Sequence, residues 1–322
     1  MSEMRCVIAG TGGFLPERVV TNNDLAEWVD TSDEWIAERS GIRQRHMAAE
    51  GEYTSDLAIG AGRAALESAG LAAEDLDFII VATTTPDETL PSTACKVQAA
   101  LGMHDGAAFD IQAACSGFIY GLSIADGFIR SGQAQNILLI GAETLTRIVD
   151  WEDRTTCVLF GDGAGAVVLQ AREDVGNRGV IASKLRSDGR QHDILYSDGG
   201  TSMTGTSGTI QMEGKDVFRH AVSNLSSVIG EVLAKTDLTQ DDIDLLVPHQ
   251  ANKRIIDGVG KKLRMDAEQV MITIADHGNT SAASVPLALD RAVRDGKVNE
   301  GDILLLEAMG AGLTWGAAVL RW

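Results

Sequence analysis

The chain repeats itself. A long helical segment, 54–69, runs into Gly70-Leu71-Ala72-Ala73-Glu74-Asp75-Leu76-Asp77 and then the apolar run Phe78-Ile79-Ile80-Val81. A second helical segment, 216–236, runs into Asp237-Leu238-Thr239-Gln240-Asp241-Asp242-Ile243-Asp244 and then Leu245-Leu246-Val247. A later echo pairs residues 136–140 and the glycine-rich stretch 161–169 with residues 302–306, Gly310-Ala311-Gly312 and 316–320. Two copies of one unit, joined near residues 170–180, account for this pattern. The expected halves are 1–174 and 175–322. Repeats of this kind pack against each other and place a site at their junction.

Within each copy, short β-branched runs alternate with longer helical stretches. The runs 78–81, 137–140 and 303–306 are apolar without alternation, and Asp, Gly or Asn bounds them. A strand covered on one face alternates; one covered on both faces does not. The fold class is therefore α/β. The Gly/Ser/Thr-rich stretch 197–208 reads as a loop near the start of the second half.

Bulk properties exclude several classes. An apolar share of 44% in 322 residues supports a large core. No stretch approaches the roughly 20 apolar residues of a membrane span, and Met1-Ser2-Glu3-Met4-Arg5 does not resemble a secretory leader. Cys6, Cys95, Cys115 and Cys157 are scattered without metal-ligand spacing, as free thiols of a cytoplasmic protein are. No metal is expected. A net charge of −19 opposes nucleic acid and anionic membranes. Against it, the cluster Lys253, Arg254, Lys261, Lys262 and Arg264 stands out; alone it reads as a solvated helix face.

Three turns carry residues with chemistry. Cys115 lies in Asp110-Ile111-Gln112-Ala113-Ala114-Cys115-Ser116-Gly117-Phe118, between a strand-like segment and a helix ending at Gly132. A helix N-terminus favours a thiolate, and small neighbours admit a substrate. Taken alone, Cys115 reads slightly better as a buried structural thiol. His249, in Val247-Pro248-His249-Gln250-Ala251-Asn252, follows a strand and on its own reads as a helix-cap histidine. Asn279, in Asp276-His277-Gly278-Asn279-Thr280-Ser281, reads alone as an N-cap. Together they are a Cys, a His and an Asn, each on a turn between strand and helix, spread over both halves. Cysteine acyl transfer uses such a set: a thiolate attacks a thioester, and neutral donors stabilise the developing oxyanion or enolate.

These motifs resemble the signatures of the β-ketoacyl-acyl-carrier-protein synthase III family. So do Thr31-Ser32-Asp33-Glu34-Trp35-Ile36, Gly161-Asp162-Gly163-Ala164-Gly165 and Gly310-Ala311-Gly312-Leu313-Thr314-Trp315-Gly316, in order, from residue 5 to residue 322. The resemblance implies a thiolase-like, duplicated αβαβα layered fold with mixed five-stranded sheets, in a cytoplasmic homodimer without a cofactor. It also implies an enzyme. Cys115 takes an acyl group from acyl-coenzyme A, with acetyl as the default primer. Malonyl-acyl carrier protein then decarboxylates, His249 and Asn279 holding its thioester carbonyl, and the enolate attacks acyl-Cys115. Backbone N–H groups of Cys115 and Ala311 form the oxyanion hole; the family usually has Gly at the latter position.

The same resemblance assigns coenzyme A to Trp35 and Arg154, sandwiching adenine, with Thr31 and Arg39 nearby and Asn252, Gly214 and Phe218 along the pantetheine tunnel. Cation–π stacking gives the Trp–Arg pairing its physical basis. Lys253, Arg254 and Lys261 suit docking of an acidic carrier protein. Leu90, reaching across the dimer, and Met309 and Leu313 stand in the acyl pocket where relatives carry Phe. Less aromatic bulk there would admit larger primers, as in relatives that use quinolone or polyketide starters. A non-catalytic carrier-binding subunit is the reading from another class, and the intact trio speaks against it. Gly10-Thr11-Gly12-Gly13 invites a dinucleotide site, but the non-helical Phe14-Leu15-Pro16 after it supplies no helix N-terminus for a pyrophosphate.

Overall fold

The computed structural model describes residues 4–173 and 175–322. The expected boundary residue Asp174 lies outside them. The first half opens with β1 (Arg5–Phe14), then the ribbon β2 (Val19–Thr21) and β3 (Gln44–His46), between which lie α1 (Asn22–Leu25) and α2 (Asp33–Ser40). It continues through α3 (Thr54–Ala69), β4 (Phe78–Ala82), α4 (Thr93–Leu101), β5 (Ala107–Ile111), α5 (Gly117–Arg130), β6 (Asn136–Thr144) and β7 (Asp162–Arg172). Strands after this segment begin with β8 (Gly179–Ser187), followed by the small pair β9 (Leu195–Ser197) and β10 (Ile210–Met212). Then come α6 (Gly214–Leu233), β11 (Leu245–Pro248), α7 (Lys253–Lys262), α8 (Ile274–His277), α9 (Ser284–Arg294), β12 (Ile303–Gly310) and β13 (Thr314–Arg321).

Two mixed sheets result, in the orders β1-β7-β6-β4-β5 and β11-β12-β13-β8. In both, two antiparallel pairings lead to parallel pairing on the far side, two such pairs in the first sheet and one in the second. The apolar runs explain the layering. In β6, Ile137 and Leu139 point into a core shared with α5 and α9, while Leu138 and Ile140 point into a core with α3 and α4. In β12, Leu304 and Leu306 enter that same central core, and Leu305 and Met309 face α6 and α7. The order through the molecule is therefore helices, sheet, helices, sheet, helices. At roughly 1.5–3 kcal/mol for each large apolar side chain buried, these three cores dominate stability.

One expectation is corrected. The second sheet has four strands rather than five. In the fifth place, residues 270–273 make only a parallel bridge, Leu246 to Val270, and a Met271 N–H bond to the Leu246 carbonyl at 2.8 Å. The Gln250 side chain takes over the ladder's role there. Its oxygen accepts from the Thr273 and Ile274 N–H groups at 2.8 and 3.0 Å, and its amide donates to the Met271 carbonyl at 3.1 Å. The glycines of β1 serve close packing: a Cβ on Gly12 would stand 2.3 Å from the Ala65 nitrogen of α3.

Candidate active site

A 3₁₀ turn leads into a long helix twice, the first time from a strand and the second from the short helix α8, where the sequence suggests a strand before Asn279. After β5, a 3₁₀ turn (Ala114–Ser116) leads into α5; after α8, a 3₁₀ turn (Ser281–Ala283) leads into α9. Ala114 and Ser281 both adopt left-handed backbone, at φ 46° and 49°. A non-glycine residue there is strained, and such strain clusters where a turn must aim a side chain. The first turn presents Cys115. The second lies two residues beyond Asn279.

Cys115 is 8% exposed and lies on the wall of a cavity of about 1420 Å³. Burial pushes its thiol up to about 12, a nearby Ser281 hydroxyl opposes this, and the Glu143 charge adds to it. The neighbouring glycine-rich turn is pinned to the nucleophile turn. Ser116 Oγ donates to Thr314 Oγ1 at 2.7 Å, and Thr314 Oγ1 reaches the Ala113 and Ala311 carbonyls at 2.9 and 3.0 Å. Gly310 packs on the Cys115 backbone so closely that a Cβ would stand 2.5 Å from its nitrogen.

His249 follows β11, its N–H bonded to the Glu307 carbonyl at 2.8 Å. Both ring nitrogens are buried without a partner in the protein, and burial pushes the imidazole down to about 3. A neutral ring therefore faces the cavity, ready to donate. Asn279 is clipped by its backbone, N–H to the Leu159 carbonyl at 2.9 Å and carbonyl from the Gly161 N–H at 3.0 Å. Its Oδ1 accepts from the Ser281 N–H at 2.9 Å, which leaves the amide N–H₂ for a ligand. Cys115, His249 and Asn279 share one cavity wall with Ala311, Met309, Trp35, Arg39, Asn252, Gly214 and Phe218.

The deciding comparison follows from this geometry. The chain is 61% identical, over 99% of each chain, to the β-ketoacyl-[acyl-carrier-protein] synthase III of Rhodospirillum centenum. It is 60% identical, with the same coverage, to that of Rhizorhabdus wittichii. Residues 109–189 and 233–322 match the families described as 3-oxoacyl-[acyl-carrier-protein (ACP)] synthase III and its C-terminal part. The chain belongs to the β-ketoacyl-acyl-carrier-protein synthase III family. The crystal structure of 3-oxoacyl-[acyl-carrier-protein] synthase III from Aquifex aeolicus VF5 superposes with a TM-score of 0.94 at 49% identity, covering 98% of this chain and 100% of that one. The fold is thus thiolase-like, and the chain is an acyltransferase of fatty acid biosynthesis.

Other expected positions fare unevenly against a synthase III site. Arg39 and Arg154 both lie over the Trp35 ring, at 4.5 and 5.2 Å from its centroid. At 5.2 Å, Arg154 and Trp35 are too close to admit a base between them, so the pair must part to sandwich adenine. Arg154 also donates to the Asp30 carbonyl at 2.7 Å. Thr31 and Arg154 are outside the cavity wall, and the Thr31 hydroxyl is buried without a partner. Asn252 caps α7, accepting from the Arg254 N–H at 2.9 Å, and ties it to α2 through the Arg39 carbonyl at 3.0 Å. Arg254 joins the cavity mouth; Lys253 and Lys261 line a smaller groove with Arg264. Leu313 does not line this cavity. It is fully buried in the core beneath, held by a two-way backbone pairing with Asp188 at 2.8 and 3.0 Å. Leu90 is 79% exposed and off the cavity wall of its own chain.

Ser281 and Glu143 also belong to this neighbourhood and were not singled out from sequence. The signal for Glu143 was an acidic residue inside the apolar strand β6, where the surrounding pattern leaves no solvent face. Among the described residues no group of His, Cys, Asp and Glu is arranged to hold a metal, and no helix is long and apolar enough to cross a membrane.

Proposed function

We propose that this chain condenses an acyl-coenzyme A primer, acetyl by default, with malonyl-acyl carrier protein through an acyl-Cys115 intermediate. The observation that carries this reading is the meeting of Cys115, His249 and Asn279 on one cavity wall. In the first half-reaction the Cys115 sulfur attacks the primer carbonyl, and the N–H groups of Cys115 and Ala311 receive the oxyanion. Ala311 keeps the backbone donor that the more usual Gly would supply. Coenzyme A leaves. Malonyl-acyl carrier protein then loses carbon dioxide, and its electron pair becomes an enolate held by the His249 ring N–H and the Asn279 amide. Neutral donors suit this task, because they need no proton transfer and are worth most in a cavity that excludes water. The enolate attacks the acyl carbonyl and releases the Cys115 thiolate with the 3-oxoacyl product.

Trp35, Arg39, Arg154 and Thr31 would hold the nucleotide end of coenzyme A, with Asn252, Gly214 and Phe218 along the arm. Lys253, Arg254 and Lys261 would receive the acidic carrier. Met309 would bound the acyl group, with Leu90 of a second copy; the exposed Leu90 and the unpaired outer edge of β5 support a homodimer. The cytoplasm is the proposed compartment. Incubation with acetyl-coenzyme A, followed by mass spectrometry of the Cys115 peptide, tests the central claim. An acyl adduct is expected, and its absence with every primer of a panel would sink it. The same panel, run on to product with malonyl-acyl carrier protein, separates general initiation from a specialised starter.

A further inference from the structure

When the Cys115 sulfur attacks, its proton must leave, and two side chains behind the nucleophile stand where it can go. The Ser281–Ala283 turn packs between the nucleophile turn and β6: a Cβ on Gly117 would stand 3.6 Å from the Ala282 Cβ, and one on Gly141 2.2 Å from the Ala282 carbonyl oxygen. This places the Ser281 hydroxyl beside both the Cys115 sulfur and the Glu143 carboxyl group. Ser281 is on the cavity wall, in left-handed backbone fixed by the Asn279 side chain. Glu143 is fully buried near the end of β6. Its Oε2 is saturated, accepting from the Thr84 N–H at 3.0 Å and from the hydroxyls of Thr83, Thr84 and Thr85 at 3.3, 2.9 and 2.8 Å. Its Oε1 is buried without a hydrogen-bond partner. A wholly buried carboxylate oxygen left short of partners is unusual and costly unless it has a task.

Neither donor of the active site takes this proton. Asn279 is no base, and burial holds His249 far too acidic to serve as one at neutral pH. A fixed negative charge at Glu143 beside a forming thiolate is repulsive. That repulsion vanishes when Glu143 is the group that receives the proton, and burial favours its neutral form.

We propose that Ser281 and Glu143 form the proton path of Cys115. The thiol proton passes to the Ser281 oxygen as the Ser281 hydroxyl proton passes to Glu143 Oε1, while the sulfur electron pair forms the bond to the primer carbonyl. On collapse, the bond to the coenzyme A sulfur breaks with its electron pair, and the proton returns along the same path to that sulfur. Charge and protons balance within this half-reaction. The condensation half ends on a Cys115 thiolate, which takes one proton from solvent to restore the resting thiol, so that half needs no step along the path. Ser281 touches the reacting sulfur and is catalytic in this scheme; Glu143 acts through it and is a positioning residue.

The inference rests on Cys115 as nucleophile, and Glu143→Gln and Ser281→Ala test it. Gln keeps an oxygen for the three threonines, and Ala is already tolerated at the matching left-handed position, Ala114. Both variants are expected to form acyl-Cys115 from acetyl-coenzyme A about 100-fold more slowly at pH 7. Their acylation rates should rise tenfold per pH unit as hydroxide replaces the lost acceptor. Once acylated by long incubation at high pH, they should condense with malonyl-acyl carrier protein at the wild-type single-turnover rate. Wild-type acylation rates with an unchanged pH profile would overturn the path, as would equal losses in both half-reactions. If the wild-type protein itself forms no adduct, the nucleophile assignment fails instead.

Discussion

At the scale of single residues, the site is defined by what burial does to ionisable and polar groups. Asn279 divides its amide: the oxygen is spent on the Ser281 N–H, so only the nitrogen can serve a ligand. Asn279→Asp keeps the oxygen and replaces the donor with an acceptor. Carbon dioxide release from malonyl-acyl carrier protein should fall about 10²–10³-fold, with acylation of Cys115 far less affected. Equal loss in both, read by separate single-turnover assays, would contradict the assigned role. Glu307, whose carbonyl accepts from the His249 N–H, shows the same physics. It is 1% exposed, its Oε2 has no partner, and burial alone pushes it up to about 8. Below the ordinary carboxylate range, folded and unfolded chains both hold this proton. As pH rises toward 8 the unfolded chain has released it and the folded chain has not, so stability declines, by at most about 5 kcal/mol. Glu307→Gln should remove this decline. Denaturant titrations from pH 4.5 to 8 that show a constant gap between the two proteins would refute the account.

At the scale of elements, much of the arrangement was legible because each strand is covered twice. Apolar runs without alternation located β4, β6, β11 and β12, and the small polar residues between periodic segments placed the turns that carry Cys115 and Asn279. The fifth strand of the second sheet was not legible, because a side chain, Gln250, replaces a ladder, and no local pattern announces that exchange. Leu313 misled for a related reason. It stands next to pocket residues in sequence, but the turn rolls it beneath the sheet, and distance along the chain says nothing about that roll. Ser281 and Glu143 were hidden because their significance lies in a chain between elements: Ser281 stands between the Cys115 sulfur and the Glu143 carboxyl group, which comes from β6. The closest approach between elements is also testable. Gly310 of β12 leaves no room for a Cβ against the Cys115 nitrogen. Gly310→Ala should push the nucleophile turn away from its oxyanion donors and slow acylation about 100-fold, since a displacement near 1 Å costs that much. An acylation rate within threefold of wild type would show that the turn yields freely.

At the scale of the whole molecule, duplication has not produced two independent bodies. The central core joins Ile8, Leu139 and Leu169 of the first sheet to Leu245, Leu304 and Leu320 of the second, with α5 and α9 between them. Neither half can keep this core without the other. Unfolding should therefore appear in calorimetry as one transition shared by both halves; two separable transitions would show that the halves are autonomous. The proposed dimer adds a second test at this scale. Sedimentation should give twice the mass of one chain, and Leu90→Asp, which places a charge on an exposed apolar side chain, should lower it. An unchanged mass for that variant, or a monomeric wild type, would remove Leu90 from the acyl pocket of a partner.

The buried thiol has a consequence for life under oxidative stress. Peroxide oxidises thiolates far faster than thiols. Between substrates, burial holds the Cys115 thiol up to about 12. An enzyme that kept a ready thiolate would gain speed in its first step and would lose activity irreversibly whenever oxidants rose. Peroxide should therefore inactivate the resting protein slowly at neutral pH and faster as pH rises; an inactivation rate that does not change with pH would contradict this.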